Sequence, residues 1–432
     1  MRPADRPSLL IRGGHVIDPA SRIDAPMDVL LKDGRVAEVA APGKISAADH
    51  KFDARGLIVA PGFIDLHVHL REPGQSYKET IATGTGAAAA GGFTSVCTMP
   101  NTIPVIDSTE WVKWIGQPER GALVNVFPIA AATRASKGLV LTDFSALQSA
   151  GAVAVTDDGK PILDDSIMRE ALILGGELNF PVVQHAEDTR MTEGCSMNAG
   201  ARSFRLGLRG MTAAAEASVV ERDVQLAMTI PNARLHVAHT STADALKAVR
   251  RGKRAKARIT FEVTPHHFAL SDDDMRDYDS NFKMNPPLRT ASDLEAILVA
   301  LADGSVDAIA TDHAPHAAHE KDVEFERAAF GITGLETALA LAVTRLHLGK
   351  HISMARIVEL FTAGPARCFD LRGRGTLARG SFADVTVFDQ KKKWKFEASK
   401  SHSKSKNTPF DDWQLTGKVM ATIVGGKIVY TA

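Results

Sequence analysis

Between residues 62 and 363 the chain alternates short β-prone runs with helix-like stretches, and this alternation restricts its fold more than any other feature. Eight such runs fall at 63–70, 94–99, 124–130, 152–156, 181–185, 234–239, 259–263 and 307–311, several of them ending in polar residues. Helix-like stretches such as 211–228 and 335–348 separate most of them. Strand–helix alternation predicts a parallel sheet, and eight repeats over roughly 300 residues suit a closed (β/α)8 TIM-like barrel. Reactive side chains in that architecture sit at the C-terminal ends of the strands. An open doubly wound sheet would need a phosphate-binding glycine turn after its first strand. The one candidate, Gly84-Thr85-Gly86, lies in an alanine-rich stretch that reads as helix.

The two ends of the chain resemble each other and differ from the middle. Runs at 9–18 and 28–36, and again at 384–388 and 421–430, read as short strands joined at Gly-containing turns. Neither end has enough strands for a core of its own, so both are expected to build one small β-sandwich domain. The expected division is 1–61 for the first part of that domain, 62–363 for the barrel and 364–432 for the remainder. The run 391–406 carries seven lysines in sixteen residues. It reads as a solvated loop rather than a basic binding arm.

Charge narrows the partners. Lys+Arg and Asp+Glu are both 51, which leaves no basic footprint for nucleic acid or an anionic membrane. With 44% hydrophobic and 24% charged residues, the composition is that of an ordinary globular protein. No apolar run approaches the ~18 residues that span a bilayer, and the opening Met1-Arg2-Pro3-Ala4-Asp5 leads into no signal-peptide core. The three cysteines (Cys97, Cys195, Cys368) are scattered and form neither a disulfide framework nor a CxxC metal site. A cytoplasmic enzyme with a small-molecule substrate is the expectation.

His67-Val68-His69 lies in the first run, where residues i and i+2 share one strand face. Taken alone, the pair reads first as two packed core histidines without a metal. Further donors close later runs: Asp157-Asp158, His185, His239 and Asp312. Four imidazoles and two carboxylates converging on one face make an N/O site that suits zinc and has room for two ions. His236 is three residues from His239 and His313 is adjacent to Asp312, so neither shares the phase of its neighbour. His266 and His267 read as supporting or loop residues, and His15, His50, His347, His351 and His402 lie away from the strand ends.

The stretch Asp65-Leu66-His67-Val68-His69-Leu70-Arg71-Glu72-Pro73-Gly74 resembles the signature of the amidohydrolase superfamily in its dihydroorotase form. The likeness continues through Met99-Pro100-Asn101-Thr102, His185-Ala186-Glu187-Asp188, His239-Thr240-Ser241-Thr242, Lys283-Met284-Asn285-Pro286-Pro287 and Thr311-Asp312-His313-Ala314-Pro315-His316. Over nearly its whole length the chain is similar to the bacterial class I dihydroorotases. That resemblance implies metal ligation by His67, His69, Asp158, His185, His239 and Asp312, with one or two zinc ions and Asp158 bridging a pair. It implies Asp312 as the catalytic acid–base group. It implies substrate contacts from His69, Arg71, Asn101, Asn285 and His316, with Phe330-Gly331 closing over the ring. One departure is Asp411-Asp412, where members usually carry glycine.

The activity implied is the reversible hydrolysis of (S)-dihydroorotate to N-carbamoyl-L-aspartate in de novo pyrimidine synthesis. Another cyclic amidase, a hydantoinase or allantoinase, would be expected to carry a carbamylated lysine on strand four, which this chain lacks. A non-catalytic partner subunit of aspartate carbamoyltransferase would be expected to have lost ligands, whereas all six positions are filled. A homo-oligomer and a complex with aspartate carbamoyltransferase both remain open. A Ser- or Cys-dependent hydrolase lacks its Gly-x-Ser-x-Gly elbow.

Overall fold

The computed structural model describes residues 7–432, so the opening pentapeptide lies outside the described residues. The first strands are β1 (Leu9–Asp18), β2 (Ile23–Lys32), β3 (Arg35–Ala40), β4 (His50–Asp53) and β5 (Ile58–Pro61). The middle of the chain supplies β6 (Phe63–Val68), β7 (Phe93–Thr98), β8 (Asn125–Pro128), β9 (Val155–Thr156) and β10 (Val182–Gln184). A minor pair follows, β11 (Met197–Asn198) and β12 (Gly210–Met211), then β13 (Arg234–Val237), β14 (Arg258–Val263) and β15 (Ala308–Ile309). The last three are β16 (Val385–Lys395), β17 (Gln414–Val424) and β18 (Lys427–Thr431).

Each of the eight expected runs holds one parallel strand. β6, β7 and β8 pair in that order, and β9, β10, β13, β14 and β15 form a second parallel set. Parallel bridges Ala130↔Val155 and Val68↔His313 join the two sets at both seams. Hydrogen-bonded neighbours therefore run from β6 around to β15 and back. All six residues of β6 and of β7 are buried, the signature of parallel strands covered on both faces. Asp65 braces the β15 seam by accepting the backbone N–H groups of His67 and Thr311, both at 3.1 Å. The glycine-containing stretch at 84–86 is helical, inside Ile81–Ala90.

The two chain ends form one sheet of eight strands, in which N-terminal β5 pairs antiparallel with C-terminal β16. Val59, Val385, Val387, Ala421 and Ile423 are fully buried in its core. Each fully buried valine or isoleucine contributes about 1.5–3 kcal/mol, so each end draws part of its core burial from the other. No helix among the described residues is long and apolar enough to cross a membrane.

The lysine-rich run is not one solvated loop. Lys391–Lys395 complete β16, and beyond Ser401 an extended segment lies across the parallel strands' helices and loops. Alternation there buries Ser403, Ser405 and Asn407 while Lys404 and Lys406 stay exposed. The Ser403 hydroxyl and the Lys404 N–H donate to Glu79, and the Ser405 hydroxyl donates to the Lys78 carbonyl at 2.6 Å. Asn407 donates through Nδ2 to the carbonyls of Ala314 (3.1 Å) and Gly331 (3.0 Å), and its Oδ1 accepts the His316 N–H at 3.0 Å. Lysine count alone concealed this inward face. In the Asp411-Asp412 turn, Asp412 has φ 65°, the region a glycine adopts freely, and it pairs with Lys395 at 2.6 Å.

Asn407→Ala leaves the Ala314 carbonyl and the His316 N–H without a partner, while the Gly331 carbonyl keeps its bond from Lys321. Urea titration should show a loss of at least about 2 kcal/mol, since one unsatisfied buried group costs about 1–3 kcal/mol. A change below about 0.5 kcal/mol, the range of surface substitutions, would show that the asparagine does not tie the segment down.

Candidate metal centre

Each of the six expected donors stands at or just beyond the C-terminal end of a parallel strand, and all are buried. His67 is on β6 and His69 follows it; Asp158, His185, His239 and Asp312 follow β9, β10, β13 and β15. The His67 Nε2 lies 3.4 Å from an oxygen of Asp158 and 3.4 Å from one of Asp312. His69 Nε2 lies 3.1 Å from Asp312 Oδ1 and 3.6 Å from Asp158 Oδ2. His185 Nδ1 faces His239 Nε2 at 2.9 Å and Asp158 Oδ1 at 3.7 Å. Two overlapping triads result, His67–Asp158–His239 and His67–His69–Asp312, each with its donor atoms within 4.8 Å of one another.

Backbone conformation sets this convergence. Arg71, His239 and Asp312 take φ of 61°, 30° and 48°, values non-glycine residues rarely adopt. Each such residue costs on the order of 1–3 kcal/mol, a cost found at sites where side-chain direction matters more than local stability.

A second layer fixes which imidazole nitrogen faces inward. Glu262 on β14 accepts from His67 Nδ1 (3.2 Å), so the Nε2 lone pair points at Asp158 and Asp312; that buried atom has no hydrogen-bond partner. The other Glu262 oxygen takes His236 Nε2 at 3.2 Å. Glu187 accepts from His185 Nε2 (3.0 Å), turning Nδ1 inward. Asn101 accepts from His69 Nδ1 through Oδ1 (2.9 Å) and donates from Nδ2 to Asp158 Oδ2 (3.0 Å).

Imidazole lone pairs aimed at carboxylate oxygens repel unless a positive charge lies between them. In the protein alone that charge is a proton. Burial opposes it on His185, but Asp158 and Glu187 outweigh burial and push the imidazole up to about 10. Burial likewise works against a charged Asp158, yet His67, His185 and His69 hold it well below the usual carboxylate range. The same field attracts a divalent cation in place of protons. The donor set of imidazole nitrogens and carboxylate oxygens, without thiolate, fits such an ion.

The remaining expected residues border this cluster. Arg71 is buried, donates from Nε to the Pro315 carbonyl (3.0 Å), and from Nη2 to His316 Nε2 (3.1 Å). Burial lowers its guanidinium to about 10, so it stays charged at neutral pH. Burial, then Arg71, Lys78 and Lys321, push His316 down to about 2, so it is a neutral imidazole whose Nε2 accepts. Asn285 Nδ2 donates to Glu187 at 2.7 Å. Gly331 has φ 133°, and a Cβ there would sit 2.6 Å from that of Ala314 and 3.3 Å from the His316 ring, so only glycine fits.

Elsewhere His236 serves Glu262, His267 bonds to Thr264 and the Pro286 carbonyl, and His313 lies beside Glu79. Sequence reasoning missed Glu262, Glu187, Glu79 and Asn407. A carboxylate inside an otherwise apolar buried run signals Glu262, and the i+2 spacing from His185 signals Glu187.

A family model described as Dihydro-orotase-like matches residues 56–245. The dihydroorotase of Solibacter usitatus is 50% identical over 98% of both chains. That of Anaeromyxobacter dehalogenans strain 2CP-1 is 49% identical, again over 98% of each chain. The chain belongs to the dihydroorotase family. The fold reaches beyond dihydroorotases: an L-hydantoinase from Arthrobacter aurescens superposes with a TM-score of 0.86 at 23% identity, covering 98% of this chain and 96% of that one. A dihydropyrimidinase from Brevibacillus agri gives 0.84 at 23% identity, over 98% and 95%.

For this dihydroorotase-family chain the cluster predicts cation-dependent stability. After chelation, adding back a divalent ion should raise the Tm, with about 2.7 kcal/mol of stabilisation at one hundred times Kd. His67→Ala or His185→Ala should lose at least one bound ion by elemental analysis. Full ion content in either variant would remove that histidine from the ligand set.

Proposed function

We propose that this chain catalyses the reversible hydrolysis of (S)-dihydroorotate to N-carbamoyl-L-aspartate in de novo pyrimidine synthesis. The observation that carries the reading is the position of the buried Arg71 guanidinium beside the six-donor cluster. Its Nε and Nη2 are anchored, and its Nη1 has no protein acceptor among the described residues. A planar cation so held suits a substrate carboxylate.

The ring of eight parallel strands is read as a (β/α)8 barrel at 62–363, with the end-built sheet as a β-sandwich domain of 1–61 and 364–432. The metal is read as zinc, two ions per chain. Asp158 suits a bridging role because Oδ1 faces His67, His185 and His239 while Oδ2 faces His69. Zinc held by these residues would supply Lewis acidity toward a carbonyl and an acidified water at neutral pH.

Asp312 then takes the proton of the attacking water and gives it to the ring nitrogen as the amide C–N bond breaks. Its carboxylate is ionised and so able to accept that proton. Burial alone would raise it, but His67, His69 and His239 bring it below its ordinary value. Arg71 binds the substrate carboxylate, Asn285 contacts the ring, and Phe330-Gly331 closes over it. Asn101 and His316 already hold His69, Asp158 and Arg71, so contact with substrate requires them to share or exchange those bonds. A hydantoinase-type site would need a lysine where Asp158 stands; Lys160, two residues on, is exposed. Cytoplasmic location accords with this metabolic role.

Asp312→Asn keeps the shape of the side chain but cannot accept the proton, so kcat should fall at least ~10²-fold. Ion content, measured in parallel, separates lost chemistry from lost metal. Retained turnover at full ion content would move the base elsewhere.

Arg71→Lys should raise KM for dihydroorotate, because charge without the planar fork is a poorer carboxylate partner. Arg71→Ala should cost about 2–4 kcal/mol in kcat/KM. An analogue lacking the carboxylate should be nearly indifferent to both changes. Equal losses for analogue and substrate would contradict the assignment.

A further inference from the structure

Lys283 and Lys321 are 2% and 5% exposed, yet no carboxylate among the described residues pairs with either. Their ammonium groups bind backbone carbonyls instead. Lys321 Nζ donates to the carbonyls of Ala329 (2.8 Å), Gly331 (3.1 Å) and Lys283 (3.2 Å), using all three N–H bonds. Lys283 Nζ donates to those of Phe325 (2.8 Å) and Glu326 (2.9 Å) and lies 4.3 Å from the centre of the Phe330 ring.

Burying an ammonium without an anion is costly. The cost shows in both groups: burial pushes Lys321 down to about 7 and Lys283 down to about 8. What they hold is a stretch with no regular structure. Residues 325–331 contain turns but neither helix nor strand, so their carbonyls have no ladder to satisfy them. The stretch ends at Phe330-Gly331. Gly331 packs so closely on Ala314 and the His316 ring that no side chain fits, and His316 in turn accepts from Arg71. Lys321 also lines a cleft of about 690 Å³ that opens beside His316, together with Asn281, Tyr77 and Asn407.

We propose that Lys321, supported by Lys283, is a positioning residue for substrate binding: its ammonium fixes the carbonyls of Ala329 and Gly331, and so sets Phe330-Gly331 against the substrate ring. The inference rests on the proposed function, in which dihydroorotate binds between Arg71 and Phe330-Gly331. The lysines hydrogen-bond to none of the six donors, Asp312 included, so their contribution falls on affinity rather than bond cleavage.

The test is Lys321→Met, which keeps the length of the side chain and removes its donors, with kcat, KM for dihydroorotate, ion content and Tm measured together. KM should rise at least ~10-fold, kcat should change less than ~3-fold, and ion content should be unchanged. Lys283→Met should move KM in the same direction by a smaller factor. If Lys321→Met does not fold, Lys321→Gln, which retains two N–H donors, should give an intermediate KM. A lowered Tm with unchanged KM would overturn the proposal by making the lysine merely structural, and so would a fall in kcat at unchanged KM. Wild-type protein that fails to open dihydroorotate would instead refute the functional reading beneath it. Normal wild-type turnover with unaltered KM in the variants refutes the positioning role alone.

Discussion

The structure is organised around two buried carboxylates, Asp158 and Asp312, faced by imidazole lone pairs at distances of 3.1–4.0 Å. That arrangement is repulsive unless positive charge sits among the donors, and the protein restrains the groups from turning away. Glu262, Glu187 and Asn101 each occupy the outward nitrogen of a histidine and so hold the inward one toward the carboxylates. Such outer partners raise ligand basicity and hold ring orientation, and losing one typically costs 10–100-fold in metal affinity or activity. The left-handed backbone of His239 and Asp312 serves the same end, directing side chains inward at the cost of local strain.

The remote parts of the chain serve this cluster as well. The sheet built from both ends positions the 401–410 segment, whose Asn407 reaches the His316 backbone and the Gly331 carbonyl. Ser403 meets Glu79, which also lies 3.5 Å from His313 at the seam between β6 and β15. The C-terminal segment therefore braces the His316–Gly331 side of the cluster, while the strand ends supply the six donors. The chain belongs to the dihydroorotase family and shares its fold with an L-hydantoinase at 23% identity, and a shared fold does not by itself fix the chemistry of the site.

The eight strands were legible because each run is short, apolar and followed by helix-like sequence, and because parallel strands leave uninterrupted buried runs. The convergence of the six donors was legible for a geometric reason: the two-residue period puts His67 and His69 on one face, and a ring of parallel strands collects its strand ends. What stayed hidden depends on approach between distant segments. Glu262 meets His67 across 195 positions, and Asn407 meets His316 across 91; no local pattern encodes either. The lysine-rich run misled because its exposed lysines alternate with buried serines, and composition averages the two faces. Arg71 and His316 were each expected to face substrate, but their mutual hydrogen bond appears only once the ends of β6 and β15 are adjacent.

The most direct test of the account follows ion content and dihydroorotate ring opening on one preparation, through chelation and stepwise return of zinc. If the buried cluster holds the ion that drives hydrolysis, the chelated protein should be inactive while still folded. Turnover should then climb in proportion to bound zinc and level off when the cluster is filled. Full turnover by folded protein carrying no divalent ion would contradict the account at its centre.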